Sequence, residues 1–135
     1  PRGPVTKPRE RPRAKGIAGR SVPWAPDRGE MIWIEHSPQA GREMAGSHPF
    51  LVLSPRSFNE MTGLVIGCAM TSGQAHNPFA VANPRDPAQA SYILADQPTS
   101  FDWRKRRARR HPWGKVTPAV LQDVCDRLNA IVQLA

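Results

Sequence analysis

A mainly β fold with some α, a small barrel of short strands followed by a C-terminal helix, is what this 135-residue sequence predicts. Three observations lead there. Short apolar runs recur between residues 29 and 97, each bounded by Gly, Pro or Asn. They follow one another too closely for crossover helices, which favours a barrel of antiparallel strands. From residue 117 the apolar spacing changes to that of a helix.

The elements follow in order. Residues 1–26, "PRGPVTKPRERPRAKGIAGRSVPWAP", hold six prolines and almost no apolar surface. Such a stretch cannot bury enough to offset its ordering entropy, so it reads as a disordered basic tail ahead of a domain over 27–135. "GEMIWIEH" begins the first strand. "PFLVLS" (49–54) is apolar throughout and is expected to be buried on both faces. "NEMTG" (59–63) reads as a turn, "LVIGCAMT" (64–71) as a third strand, "NPFAVAN" (77–83) as an edge strand and "SYILADQ" (91–97) as a fifth. In the last segment Thr117 is a good N-cap and Pro118 suits the first helical position. Leu121, Val124, Leu128, Ile131 and Val132 then share one helix face, which is expected to pack on the barrel.

Charge is unevenly distributed. The net +8 divides into +6 over residues 1–28, +7 over "RKRRARRHPWGK" (104–115), and −5 over the rest. A mildly acidic domain with a basic tail and a basic loop suits a polyanionic partner such as RNA or DNA. Trp103 and Trp113 bracket that loop, where their rings could stack on exposed bases. No run of ~18 apolar residues is present to cross a membrane, and the basic N-terminus has no apolar core of a secretory signal. Cys68 and Cys125, isolated in sequence, read as small buried hydrophobes in a reducing compartment.

Nucleotide cradles of the GxxxxGK[ST] or GxGxxG type are absent, as is a GxSxG elbow. His36, His48, His76 and His111 lack metal-ligand spacing, so neither a metal nor a cofactor is expected. What remains are polar groups at strand ends: Arg42, Glu43, His48 and Arg56, then Thr71, Ser72, Asp96 and Gln97. Glu43 and His48 lie in "GREMAGSHPFLVLSP", a turn-rich segment leading into a buried strand, where functional groups are often carried. A carboxylate and an imidazole suffice for metal-free phosphodiester cleavage. One removes the 2′-hydroxyl proton and the other protonates the departing 5′-oxygen, while donors hold the charge of the phosphorane. Each of these residues taken singly is more often structural or simply exposed.

The order and spacing of "RGEMIWIEHSP", "GREMAGSHPFLVLSPRSFNEMTGLVIGCAMTS", "NPFAV", "LADQPTSFDWR" and "VTPAVLQDVCDRLNAIV" resemble the MazF/PemK family of bacterial toxins, the mRNA interferases, from Arg28 to Leu134. The resemblance implies an SH3-like β-barrel of the CcdB/PemK kind with a C-terminal helix, working as a homodimer in the bacterial cytoplasm. It implies metal-independent cleavage of single-stranded RNA at short motifs, leaving a 2′,3′-cyclic phosphate and a 5′-hydroxyl. A cognate MazE/PemI-like antitoxin would cover the groove. Glu43 matches the acid of the family's G-x-E-x-x-G loop, Thr71 its catalytic threonine, and Asp96 the acid of its "DQ" motif.

The chain departs from the family where His48 stands in place of an arginine. Leu94 and Arg42 likewise occupy positions where the PemK branch has arginine and histidine. Guanidinium offers phosphate a permanent bidentate charge, whereas an imidazole titrating near ~6.5 moves protons at neutral pH. Two readings follow. In one, His48 is the general acid, Glu43 or Asp96 the base, and Arg42 or Arg56 the phosphate clamp. Ser72, Gln97, Arg106, Arg107, Arg109 and Arg110 then hold substrate or an acidic antitoxin segment. In the other, the chain is catalytically weakened or silent and binds nucleic acid or a protein, as gyrase-poisoning CcdB does. The chain ends "QLA" and lacks the terminal Trp-Gly-Ile of CcdB.

Overall fold

The computed structural model describes residues 23–35, 46–73, 75–84 and 90–133. Strands β1 (Glu30–Glu35) and β2 (Ser47–Val52) precede helix α1 (Arg56–Thr62). Strands β3 (Leu64–Thr71), β4 (Ala80–Ala82), β5 (Tyr92–Asp102) and β6 (Arg109–Lys115) follow, and helix α2 (Pro118–Val132) ends the chain's described part. The six strands form one antiparallel sheet in the order β4-β5-β3-β2-β1-β6, curled into a half-barrel. The predicted β fold with its terminal helix is therefore the observed one.

The sheet has an apolar cluster on each face, so adjacent residues of the central strands enter different clusters. Met31 and Leu51 join Cys68, Ile93 and Val124 of α2 on one side. Ile32, Phe50 and Val52 join Val65 and Trp103 on the other. This is why "PFLVLS" carries no polar alternation, and Phe50 through Leu53 are all buried, as expected. Gly67 in β3 is required by close approach. A Cβ there would stand 1.9 Å from the Leu51 carbonyl oxygen.

Helix α2 begins as its sequence predicts, with the Thr117 side chain accepting from Val120 N–H at 3.2 Å and Pro118 in the first turn. Val124 is fully buried, but the expected stripe does not hold to its end. Ile131 and Val132 remain 41% and 44% exposed, since no described residue covers the last turn.

Other expectations need correction. The supposed turn at 59–63 belongs to α1, which Gly63 closes in the left-handed region at φ 75°. The helix is held by tertiary contacts more than by its own propensity. Asn59, fully buried, donates to the carbonyls of Pro26 (2.8 Å) and Ser54 (3.0 Å), and its Oδ1 accepts from Ser54 Oγ at 2.6 Å. Its carbonyl accepts from Trp103 Nε1 at 2.8 Å. Asp27 supplies the missing N-cap from a distance, accepting from the N–H groups of Arg28 (2.8 Å) and Arg56 (3.0 Å). Burial pushes the Asp27 carboxyl up, but these donors and the charges of Lys115 and Arg56 outweigh it and hold the carboxyl below its usual value.

The supposed tail reaches too far: Ala25 and Pro26 are buried, and the tail proper, residues 1–22, lies outside the described residues. The supposed basic loop 104–115 is mostly strand. A tight turn over 103–107, stabilised by Asp102 Oδ1 accepting from Lys105 N–H at 2.9 Å, leads into β6. Trp103 is not available to bases, being buried with its indole N–H on Asn59.

The β3–β5 and β1–β6 pairings each contain a register jump. Cys68 pairs with Pro98 and Met70 with Ile93, so residues 94–97 face Ala69 alone. Ile32 pairs with Arg110 and Glu30 with Lys115, so residues 111–114 face Met31 alone. Bulges of this kind re-aim side chains beside functional sites.

Replacing Asn59 with alanine strips partners from several buried groups at once and is expected to cost about 2–4 kcal/mol. Urea unfolding checks this: the midpoint should fall with an unchanged slope, and an unaltered midpoint would show the network to be dispensable.

Candidate active site

A cavity of about 490 Å³ opens at one end of the sheet, where β1, β2, β3 and β6 meet. His48 and Pro49 line it from the start of β2, and Thr71 and Ser72 from the end of β3. The meeting of His48 and Thr71 follows from strand register. Phe50 pairs with Ala69 and Leu51 with Cys68, and the same register continued two residues brings His48 level with Thr71. His48 is exposed and Thr71 half-buried, with Thr71 Oγ1 accepting from Gly73 N–H at 3.4 Å.

The opposite wall is aromatic. Trp33 stacks on His111 with ring centroids 4.4 Å apart and planes 26° apart, and Trp113 leans on the other histidine contact at 4.9 Å and 53°. The bulge at 111–114 carries both rings, with His111 over Trp33 and Trp113 against His111. His111 Nδ1 accepts from Trp113 N–H at 3.1 Å, so the ring proton sits on Nε2. Burial lowers the pKa of His111 from its ordinary value, which keeps the ring neutral.

Sequence reasoning did not single out His111 or Trp113 as a pair. The signal was "HPWG", two flat rings two residues apart around a proline, inside a run read only for its charge.

The remaining candidates fall into distinct places. Arg109 donates to Ser47 Oγ at 3.0 Å, one residue from His48, and pairs with Glu35 at 3.8 Å. Arg106 lies over Phe101 at 4.5 Å and donates to the Glu35 carbonyl at 3.3 Å. Arg110 sits 5.6 Å over Trp24, and Arg107 is exposed in the turn at φ 50°. Much of this positive charge therefore rests on aromatic faces. Arg56 is held on α1 by Glu60 at 3.6 Å and by the Pro23 carbonyl at 3.4 Å, and does not line the cavity.

Asp96 and exposed Gln97 lie in the β5 bulge and do not line the cavity either. Asp96 accepts from Asn77 Nδ2 at 3.3 Å. Its charge acts on Cys68, whose thiol is pushed up to about 12, chiefly by burial and further by Asp96 and Cys125. Cys68 is thus the inert buried residue expected, while Cys125 is only half-buried. Arg42 and Glu43 lie outside the described residues. Among the described residues no three His, Cys, Asp or Glu side chains are grouped so as to hold a metal ion. No helix among them is long and apolar enough to cross a membrane.

The arrangement can therefore offer an imidazole, hydroxyls and a nearby guanidinium to a phosphate, with a flat apolar wall beside them. Comparisons with known proteins give the following likenesses. The family described as PemK-like, MazF-like toxin of type II toxin–antitoxin system matches residues 27–132. The endoribonuclease toxin MazF of Escherichia coli K12 is 35% identical over 112 residues, covering 81% of this chain and 96% of the relative. Endoribonuclease PemK of Escherichia coli is 29% identical over 110 residues, covering 78% and 81%. The crystal structure of MazF from Deinococcus radiodurans superposes with a TM-score of 0.70 at 37% identity, covering 83% of this chain and all of that one. MazF in the MazE–MazF complex of the same organism gives 0.72 at 32% identity, with 84% of this chain covered.

Titration gives a direct check on the aromatic wall. The native midpoint of His111, followed by NMR, should lie below the ordinary histidine value of about 6.5. Below that value the unfolded chain takes up a proton that the folded one resists, so stability should fall as pH drops through it. A midpoint at or above the ordinary value would contradict the neutral, stacked ring.

Proposed function

Because the chain belongs to the PemK-like, MazF-like toxin family of type II toxin–antitoxin systems, we propose that its groove cleaves single-stranded RNA without a metal. The observation that carries this reading is the convergence of His48 and Thr71 on one cavity. In the reaction a ribose 2′-oxygen attacks the adjacent phosphorus as its proton is removed. The bond to the 5′-oxygen breaks, leaving a 2′,3′-cyclic phosphate and a 5′-hydroxyl.

His48, at the exposed mouth of the groove, is the general acid that protonates the departing 5′-oxygen. The Thr71 hydroxyl donates to the phosphorane oxygen, where a fixed dipole is worth more in the transition state than in the ground state. Arg109, one hydrogen bond from the residue preceding His48, supplies the charge that histidine lacks at that position. Glu43, five residues before His48, takes the 2′-hydroxyl proton. Asp96 and Arg56 are assigned no step in this scheme: Asp96 is bonded to Asn77, and Arg56 to Glu60 and the Pro23 carbonyl.

Two copies of the chain form the working unit, as the family resemblance implies. An acidic antitoxin resembling MazE covers the groove and Arg109, which supports the same reading because the Deinococcus relative was crystallised with MazE.

Incubation of the purified protein with long RNA in EDTA should generate new 5′-hydroxyl ends at defined sites. His48→Gln, an exposed and structurally mild change, should lower kcat/KM roughly 10²–10⁴-fold. It should also abolish the decline in rate as pH rises through the imidazole titration. Intact RNA after prolonged exposure to folded wild-type protein would leave the groove as a docking surface.

A further inference from the structure

We propose that Trp33, His111 and Trp113 form a subsite that reads one unpaired base of the bound RNA, selecting a keto base (guanine or uracil) over an amino base (adenine or cytosine). This rests on the reading of the groove as an RNA-cleavage site, and adds to it a recognition element that the cleavage chemistry does not require.

Three features of the wall argue for a ligand. First, the rings border the cavity instead of filling it, and Trp113 is only half-buried. A flat base entering beside Thr71 and His48 meets indole surface, on which any base can stack. Second, the sheet is distorted to build the wall. The bulge at 111–114 places Pro112 in an edge strand and Gly114 at φ 71°, at the expense of the β1–β6 ladder. An apolar residue in regular register would cover Trp33 more simply. Third, the ring between the two indoles is a histidine. Burying it incurs desolvation that a phenylalanine would avoid.

The direction of the remaining hydrogen bond gives the selectivity. Nδ1 is occupied by the Trp113 N–H, which leaves Nε2–H as the ring's remaining donor, on a residue that lines the cavity. Nε2 carries a proton in this tautomer and in the imidazolium alike, so the donor does not depend on ordinary changes of pH. On the Watson–Crick edge guanine O6 and uracil O4 accept such a bond. Adenine N6 and cytosine N4 are amino groups, and would place donor against donor. Unsatisfied groups facing each other in a confined site are penalised more than a missing contact.

The experiment compares wild type with His111→Phe, which keeps a flat ring and removes the Nε2–H donor together with the Nδ1 acceptor of the Trp113 N–H. Both are given an RNA pool randomised around the cleavage site, and the bases flanking every cut are counted. Wild type should require G or U at one flanking position. His111→Phe should lose about tenfold of that preference, the worth of one hydrogen bond, while preferences at other positions persist. A general structural role would lower all cuts in proportion and leave the base profile unchanged, and that outcome overturns the proposal. So does a wild-type profile indifferent to keto and amino bases.

Binding separates failure here from failure of the cleavage reading. Fluorescein-labelled, 2′-fluoro oligonucleotides cannot be cut, and their anisotropy reports affinity whether or not the protein is a nuclease. Tighter binding of U-rich than C-rich oligomers, equalised by His111→Phe, supports the subsite even if no RNA is cleaved. Equal binding of both by wild type overturns it. If His111→Phe does not fold, Trp113→Leu at the half-buried position replaces it and must weaken U-rich binding.

Discussion

Strands β2 and β3 lie so close at Gly67 that no side chain fits there: a Cβ would stand 1.9 Å from the Leu51 carbonyl oxygen and 2.8 Å from the Phe50 ring. The rest of the molecule depends on this contact. It fixes the register in which Leu51 and Phe50 are sent to opposite faces of the sheet, and therefore the division of the core into two clusters. A slip of one residue would exchange those faces along the whole strand. The same register, carried to the strand ends, sets the imidazole of His48 level with the hydroxyl of Thr71. Packing in the middle of the sheet thus determines which residues meet at the cavity.

Outside that rigid centre the sheet departs from regularity twice, and the two bulges differ in use. The one at 94–97 faces Ala69, carries Asp96 and Gln97, and turns away from the cavity. The one at 111–114 faces Met31 and builds the aromatic wall. The arginines between β5 and β6 are likewise divided. Arg104, Arg106 and Arg110 rest on aromatic rings, whereas Arg109 donates to Ser47. A charge run that looks uniform in sequence is thereby sorted by folding into arginines that pack on rings and one that bonds to Ser47.

The strands of the core and helix α2 were legible because their signals are local. Continuous apolar runs mark β2 and β3, and Thr117-Pro118 marks the start of α2. Helix α1 was not legible. It has seven residues, an asparagine and a threonine among them, and ends at a glycine, so it reads as a turn. Its stability comes from Asn59 bonding to Pro26 and Trp103, contacts that no local window contains. Strand β6 was hidden by its arginines and by Pro112, a residue tolerated only at an edge or bulge. His48 and Thr71, candidates in the sequence, both line the cavity. His111 went unremarked because its meaning depends on Trp33, which lies far away in sequence and is brought close only by the β1–β6 pairing.

The central claim is that one register makes His48 and Thr71 act on a single phosphate. A double-mutant cycle on RNA cleavage, with His48→Gln, Thr71→Val and the pair, tests it most directly. Groups that work as a unit are strongly non-additive, so the double variant should be hardly slower than the slower single variant. Losses that multiply, as for independent sites, would contradict the account.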